Sequence, residues 1–243
     1  MKILPTIGPA TENIKDLKYL FNYCSMVRLN TSHNKISWHK KKINLIKKLN
    51  KNIDILVDIP GVKPRTNNKN KVYLKKNDVI KFGYKIKKSH GTFIELTRNL
   101  PHKKGLVNKF FSLDDGKIIF KIIKFTDKEI VGKALHDCVI HPKKGLNIPN
   151  SIYDNSEQKK IYIEYLKKFK NSNINAVGLS FVQNKELILF LKKKFSKFLM
   201  ISKIENSEGL KNAEEICICS DAIMIDRGDL SAEIGDNNLY DAI

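Results

Sequence analysis

The feature that most constrains this chain is an alternation of strand-like and helix-like segments that stops, gives way to something else, and resumes. Residues 2–7 form a short apolar run closed by Gly8-Pro9, and Thr11 stands where it would cap a helix carrying Ile14, Leu17, Leu20 and Phe21 on one stripe. Residues 26–30 read as a second strand, residues 36–49 place Ile43, Ile46 and Leu49 at helical spacing, and residues 53–57 form a buried strand ending at Asp58. The pattern is β-α-β-α-β, the signature of a parallel sheet. After Arg65-Thr66 the helical stripes vanish: residues 67–149 offer short β-rich runs at 71–74, 92–96, 117–125 and 129–134, separated by Gly and Asn turns. From Asn155 the β-α pattern returns, with helices at 155–169 and 185–194 and strands at 176–182, 198–204 and 222–225. The expectation is an α/β fold of six β-α strands with a small all-β insert after the third, giving barrel parts at 1–66 and 150–243 around an insert at 67–149.

Charge sits where the last strands give out. Lys203 and Glu205 are two residues apart and share a strand face. Residues 222–225 run into Asp226-Arg227-Gly228-Asp229. With one helix over 207–216 between them, the two strands are parallel, and their acidic ends emerge at the same rim. Two carboxylates beside an ammonium, with Gly228 letting backbone approach a ligand, suit a divalent ion holding a phosphorylated acid. A salt bridge among Lys203, Glu205 and Asp229 is the plain alternative at this point.

Composition narrows the classes. A chain of 243 residues is long enough to bury a full core as one large domain or a domain with an insert. Its net charge of +20 resembles that of nucleic-acid binders, but only four of its 45 basic residues are arginine, at 28, 65, 98 and 227. The lysines are spread through nearly every segment with no aromatic-interleaved stretch, so the excess reads as solvated surface, not as a nucleic-acid footprint. Cys24, Cys138, Cys217 and Cys219 show no C-x-x-C spacing, and the six histidines form no metal pair. No run approaches the roughly 20 apolar residues of a membrane span. A soluble cytoplasmic protein without membrane contact is expected.

An ordered series of segments carries a resemblance. TIGPAT (6–11), VRLNTSH (27–33), DIPGVKPRT (58–66), LDDGKI (113–118), KKGLNIP (143–149), SFV (180–182), SKIEN (202–206) and DRGDLSAEIG (226–235) resemble the motifs of the pyruvate kinases, in that family's order. The resemblance implies a (β/α)8 barrel of the triosephosphate isomerase (TIM) type with its site on the C-terminal rim and the β-insert as a lid. It implies transfer of a phosphoryl group from phosphoenolpyruvate to ADP, giving pyruvate and ATP, with Mg2+ or Mn2+ as the metal. Lys203 is then the catalytic lysine on the phosphoryl group, and Glu205 and Asp229 are the Mg2+ ligands. Arg28, Gly228 and Asp229 hold the substrate phosphate and carboxylate alongside Lys203, and Asn30, His33, Arg65 and Lys144 face the nucleotide. Three of the four arginines, 28, 65 and 227, fall on motif positions, where a guanidinium fork holds phosphate or carboxylate as lysine cannot.

One position separates branches of that family. Potassium-dependent members carry Glu where this chain has Lys63, so the resemblance is closer to the potassium-independent branch. Asn30, Ser32 and Asp58 match the usual potassium ligands, with the Lys63 ammonium expected to replace the ion. Other departures mark a divergent member: Val62 and Pro64 alter a loop, Gln183 replaces an Arg, Ser231 replaces a Gly, and Asp226 replaces an Ala. Asp226 adds a negative charge beside an anionic substrate, a cost of about 3 kcal/mol at ~6 Å and an effective dielectric near 20 unless Arg227 or Lys203 offsets it.

With the 83-residue insert removed from 243, 160 residues remain, against about 250 for a complete barrel. The expectation is an incomplete barrel whose open edge is covered by self-association or by a partner chain. Two other readings use the same residues: metal-dependent lyase or aldolase chemistry on a pyruvate-like acid, and a non-catalytic binding protein.

Overall fold

The structure is a computed structural model and describes residues 2–86, 91–102 and 109–242. The chain forms two compact units, Met1–Gly61, Ser156–Lys203 and Ala213–Met224 in the first, and Val62–Asn155, Ile204–Asn212 and Ile225–Ile243 in the second. It opens with α1 (Ile14–Leu20), β1 (Met26–Asn30), α2 (Ile36–Leu49) and β2 (Asp54–Ile59). Among the described residues eight strands follow: β3 (Val72–Leu74), β4 (Val79–Gly83), β5 (Thr92–Glu95), β6 (Phe110–Leu113), β7 (Ile118–Phe125), β8 (Glu129–Ala134), β9 (Cys138–Ile140) and β10 (Leu146–Asn147). The alternation then resumes with α3 (Asn155–Phe169), β11 (Ala176–Leu179), α4 (Lys185–Lys194), β12 (Leu199–Ile204), α5 (Ser207–Lys211), α6 (Ala213–Cys219), β13 (Ala222–Ile225), α7 (Arg227–Ile234) and α8 (Asp236–Leu239).

Five strands make one sheet in the order β1-β2-β11-β12-β13. The β1–β2, β2–β11 and β11–β12 pairs are parallel, with Asn30 opposite Asp58 and Leu179 opposite both Ile59 and Ser202. The spatial order follows the sequence and never reverses, which separates a barrel-type sheet from a doubly wound one with its switch point. The fold is therefore α/β, an incomplete (β/α)8-type barrel sheet accompanied by small additional sheets. β11 is buried throughout and β2 at every residue after Asp54, as expected of parallel strands covered on both faces.

Residues 2–7 do not form the first of six strands. They are clipped to β1 by a single parallel bridge, Thr6 to Arg28, in which Ile7 N donates to Arg28 O and Arg28 N donates to Pro5 O. Pro5 has no N–H to extend a ladder, and Ile3 and Leu4 are exposed. Asn13, not Thr11, caps α1, its side chain accepting from Asp16 N. Thr11 Oγ1 instead accepts from Gly8 N at 3.1 Å. The single helix expected over 207–216 is two, α5 and α6, divided at Asn212, a weak helix former. The strand expected over 176–182 stops at Leu179, and Phe181 turns with φ of 61°.

In the second unit, six strands form a sheet in the order β10-β6-β7-β8-β4-β5, and β3 pairs with β9. All pairs are antiparallel except β4–β5. Burial alternates along β7 and β8, the mark of a sheet with one covered face. That face is organised by Phe82, Phe111 and Phe120, whose ring centroids lie 4.9 to 5.7 Å apart. Such aromatic pairs add about 0.5–1.5 kcal/mol beyond burial of their area. Sequence periodicity missed β4, β6, β9 and β10, of which β9 and β10 are only three and two residues long.

Candidate active site

In the first unit the ends of β1, β2 and β12 and the turn after β11 converge on Asp58. Arg28 Nε and Nη2 donate to Asp58 Oδ2 at 2.8 and 2.5 Å, and Lys203 Nζ donates to the same oxygen at 3.1 Å. Ser180 Oγ donates to Asp58 Oδ1 at 3.3 Å and accepts from Lys203 Nζ at 3.3 Å. Lys203 is 3% exposed and Asp58 2%. An ammonium this deep is tolerated only when paired, and removing its partner leaves an uncompensated buried charge.

The turn that carries Ser180 is itself held. On α3, Tyr162 Oη donates to Ser180 O, and Gln158 Nε2 donates to Phe181 O and, at 3.2 Å, to Ser180 O. Both α3 side chains are fully buried. Gly61 lets this turn approach, because a Cβ there would stand 2.5 Å from Ser180 O and 3.0 Å from Phe181 Cβ. The SFV motif thus fixes Ser180 against Asp58 and Lys203.

Asn30 Oδ1 accepts from Ser32 N at 3.0 Å, and Thr31 donates to Asp58 O through both its N–H, at 2.9 Å, and its hydroxyl, at 2.8 Å. Of the residues matching a potassium site, Asp58 has its carboxylate engaged by Arg28, Lys203 and Ser180. His33 is exposed, and its carbonyl accepts from His39 Nε2 at 2.7 Å.

In the second unit, carboxylate oxygens of Glu205, Asp226 and Asp229 lie within 4.8 Å of one another. Asp226 N donates to Ile204 O at 3.3 Å, joining the end of β13 to the residue before Glu205. Glu205 is 1% exposed. At this spacing each carboxylate pair repels by about 3 to 4 kcal/mol at an effective dielectric near 20. The sequence presented Asp226 as a stray charge; the structure gathers it into a three-oxygen cluster with the two expected metal ligands. The donor set fits a divalent ion of the hard, oxygen-seeking class: an octahedral Mg2+ or Mn2+ with ligands at about 2.1 Å sets oxygens roughly 3 to 4 Å apart.

Lys63 contributes its ammonium to this cluster. It bonds Asp229 Oδ1 and lies 3.5 Å from Asp115 Oδ1, with the side chain almost fully buried. Gly145 makes the space, since a Cβ there would be 2.6 Å from Lys63 Cε and 2.8 Å from Nζ. Lys144 Nζ is 2.8 Å from Asp114 Oδ1, and Arg65 Nη1 donates to Lys143 O at 3.2 Å. Gly228 is exposed in the first turn of α7. Tyr153, 4% exposed, has its hydroxyl pushed well above the ordinary tyrosine value by burial, then by the negative charges of Glu233 and Asp229, and it stays neutral.

Sequence reasoning missed Ser180, Gln158, Tyr162, Gly145 and Tyr153. SFV was visible as a motif, but nothing in its letters shows that its serine bridges an aspartate 122 positions away.

Comparison with known proteins covers nearly the whole chain. The family model described as pyruvate kinase, barrel domain, matches residues 1–242. A pyruvate kinase of Methanocaldococcus jannaschii is 34% identical over 98% of this chain and 51% of its own length. One of Buchnera aphidicola subsp. Schizaphis graminum is 32% identical over 98% of this chain and 53% of its own, and one of Staphylococcus aureus 31% over 96% and 42%. The chain spans about half the length of the curated relatives it matches.

Proposed function

Because this chain belongs to the pyruvate kinase family, we propose that its chemistry is phosphoryl transfer between phosphoenolpyruvate and ADP. The observation that carries this reading is the Lys203 ammonium, buried and oriented by Asp58 and Ser180. Phosphoryl transfer asks a protein mainly for position and for compensation of moving negative charge. A lysine locked by two oxygen partners in a water-poor setting supplies both, because its charge need not reorganise as the phosphoryl group passes.

Arg28 holds the substrate phosphate or carboxylate through its guanidinium fork, which Asp58 orients. Glu205 and Asp229 hold Mg2+ or Mn2+, and the backbone at Gly228 lies beside the substrate acid. When bound, the ion neutralises charge on the phosphate and enolate oxygens. Asn30, His33, Arg65 and Lys144 face ADP. The Lys63 ammonium, already placed on Asp229, supplies the fixed charge that potassium supplies in other branches. In this reading residues 67–149 are the lid domain, and 1–66 and 150–243 the barrel parts. The protein works in cytoplasmic glycolysis, and a second copy covers the edge at β13, where Ile223 is 40% exposed. No helix among the described residues is long and apolar enough to cross a membrane.

A coupled assay for ADP-dependent pyruvate formation, run on the wild type and Lys203→Met, tests the reading. Pyruvate from the wild type, lost in the variant, supports it. No product from a folded protein that binds metal rejects it.

A further inference from the structure

We propose that the cavity between the β6–β7 hairpin and α7 is a binding site for a small aromatic amine, independent of the phosphoryl transfer proposed above. The cavity has a volume of about 460 Å³ and lies wholly within the second unit. That size falls in the range of roughly 300–1,000 Å³ usual for small-molecule sites. Strand alternation accounts for its position. Phe111, Leu113, Ile118 and Phe120 point into the hydrophobic core of the β-sheet, which leaves Phe110, Ser112 and Ile119 on the opposite face, along the cavity wall. In the antiparallel register Ser112 stands opposite Ile119, and Phe110 opposite Lys121. Ser231 and Ala232 line the cavity from α7. The glycines at its ends leave it open, since a Cβ on Gly116 or Gly235 would meet nothing within 4 Å.

The lining sets the kind of ligand. Phe110 and Ile119 are exposed apolar side chains on one wall, and they offer a ring a surface to cover. Ser112, 8% exposed, lines the same wall, and its hydroxyl makes no hydrogen bond among the described residues. A hydroxyl buried to this degree is stabilised by a partner inside the cavity, because leaving it unpaired is unfavourable. Charge decides the rest. Asp115 and Asp236 line the cavity against one cation, Lys117, among the described lining residues. Ser231, which stands where the resemblance gives Gly, donates through Oγ to Asp236 Oδ1 at 2.5 Å and holds that carboxylate at the cavity. A carboxylate accepts several hydrogen bonds, so Asp236 keeps capacity for a ligand. A planar ring bearing an ammonium satisfies this lining, with charge-assisted bonds to the acidic rim and the ring against Phe110 and Ile119. A ring of the same size bearing a carboxylate would meet the two acids instead.

The test is isothermal titration calorimetry of the full chain with tryptamine, an indole carrying an ethylammonium group. Indole-3-propionate, which keeps the ring and replaces the ammonium with a carboxylate, is the comparison ligand. Ala232→Phe fills the cavity, Ile119→Ser removes part of its apolar wall, and the double variant Asp115→Asn, Asp236→Asn removes its negative charge. Ile123→Ser, at an exposed apolar residue of β7 outside the cavity, is the control. Circular dichroism checks that each variant is folded, and Ile119→Ser, a change at an exposed position, decides where Ala232→Phe does not fold. The expected result is saturable tryptamine binding at a single site in the wild type and in Ile123→Ser. Binding should weaken at least about tenfold in the other variants, and indole-3-propionate should bind the wild type more weakly by a similar factor. No saturable tryptamine binding by the folded wild type, or equal binding of the two ligands, overturns the proposal. Wild-type affinity retained in folded Ile119→Ser or in the folded double variant also overturns it.

Discussion

Lys203 Nζ and Asp58 Oδ2 stand 3.1 Å apart in a region where both side chains are almost fully buried. The pair unites the ends of β12 and β2, with Arg28 and Ser180 bonded to the same carboxylate. Asp58→Ala leaves two cations facing a buried void. The expected outcome is a loss of about 3–5 kcal/mol in stability by denaturant unfolding. Lys203→Met removes the buried ammonium itself and costs less, because Arg28 still compensates Asp58.

The turn after β11 depends on α3. Tyr162→Phe removes one of the two side-chain donors to Ser180 O, and Gln158→Leu removes the other together with the side-chain donor to Phe181 O. Each leaves a buried carbonyl short of a donor, a cost of about 1–3 kcal/mol. In the proposed reaction both variants lower kcat more than they raise KM, since Ser180 touches Lys203 and neither α3 residue contacts Arg28 in the described hydrogen bonds. Thermal unfolding and steady-state kinetics check the two halves of this prediction.

Two glycines separate backbone crowding from side-chain crowding. A Cβ at Gly61 meets a main-chain oxygen at 2.5 Å, whereas one at Gly145 meets the far end of the Lys63 side chain, at 2.6 Å from Cε. Gly61→Ala is expected to destabilise the fold by several times as much as Gly145→Ala, measured as the shift in denaturation midpoint. Gly145→Ala should act on the metal cluster instead: moving the Lys63 ammonium off Asp229 tightens Mn2+ binding.

Burial pushes the His39 imidazole below its ordinary value of 6.5, outweighing the bond to the His33 carbonyl. Nε2 lies 2.7 Å from that carbonyl and Nδ1 has no hydrogen-bond partner, as in a neutral ring with its proton on Nε2. The unfolded chain therefore takes up a proton near pH 6.5 that the folded chain refuses. Stability from this residue is full above that pH and falls as pH drops through it. Urea midpoints from pH 7.5 down to 5.5 should decline, and His39→Gln should flatten that decline.

Turnover is expected without added potassium, because Lys63 brings a permanent ammonium to Asp229. Initial rates in sodium and tetramethylammonium buffers should match those in potassium. Strict dependence on potassium contradicts the role given to Lys63.

The sequence revealed the fold where physics is local. The apolar runs at 53–57 and 176–182 read as buried strands, and strands Asp54–Ile59 and Ala176–Leu179 stand there, while the stripe of Ile43, Ile46 and Leu49 marked the helix before the first of them. It failed where one backbone group decided the outcome. Pro5 cannot extend a ladder, so residues 2–7 are a clip and not a strand, and Asn212 divides what periodicity joined. At the candidate site, Lys203, Glu205 and Asp229 stood out by charge at the ends of apolar runs. The engagement of Asp58 by Arg28 and Lys203, and the turn of Asp226 toward Glu205, are tertiary facts. They follow from strands and turns brought together by folding, and no spacing in the chain encodes them.

The most direct measurement of the central claim follows phosphorus. In 31P nuclear magnetic resonance of phosphoenolpyruvate and ADP with the purified chain and Mg2+, the account predicts that the phosphoenolpyruvate resonance falls as the β-phosphate resonance of ATP rises in equal amount. The Lys203→Met protein should produce no such change. Phosphoenolpyruvate left intact by the folded, metal-loaded wild type, or consumed with release of inorganic phosphate and no ATP, contradicts it.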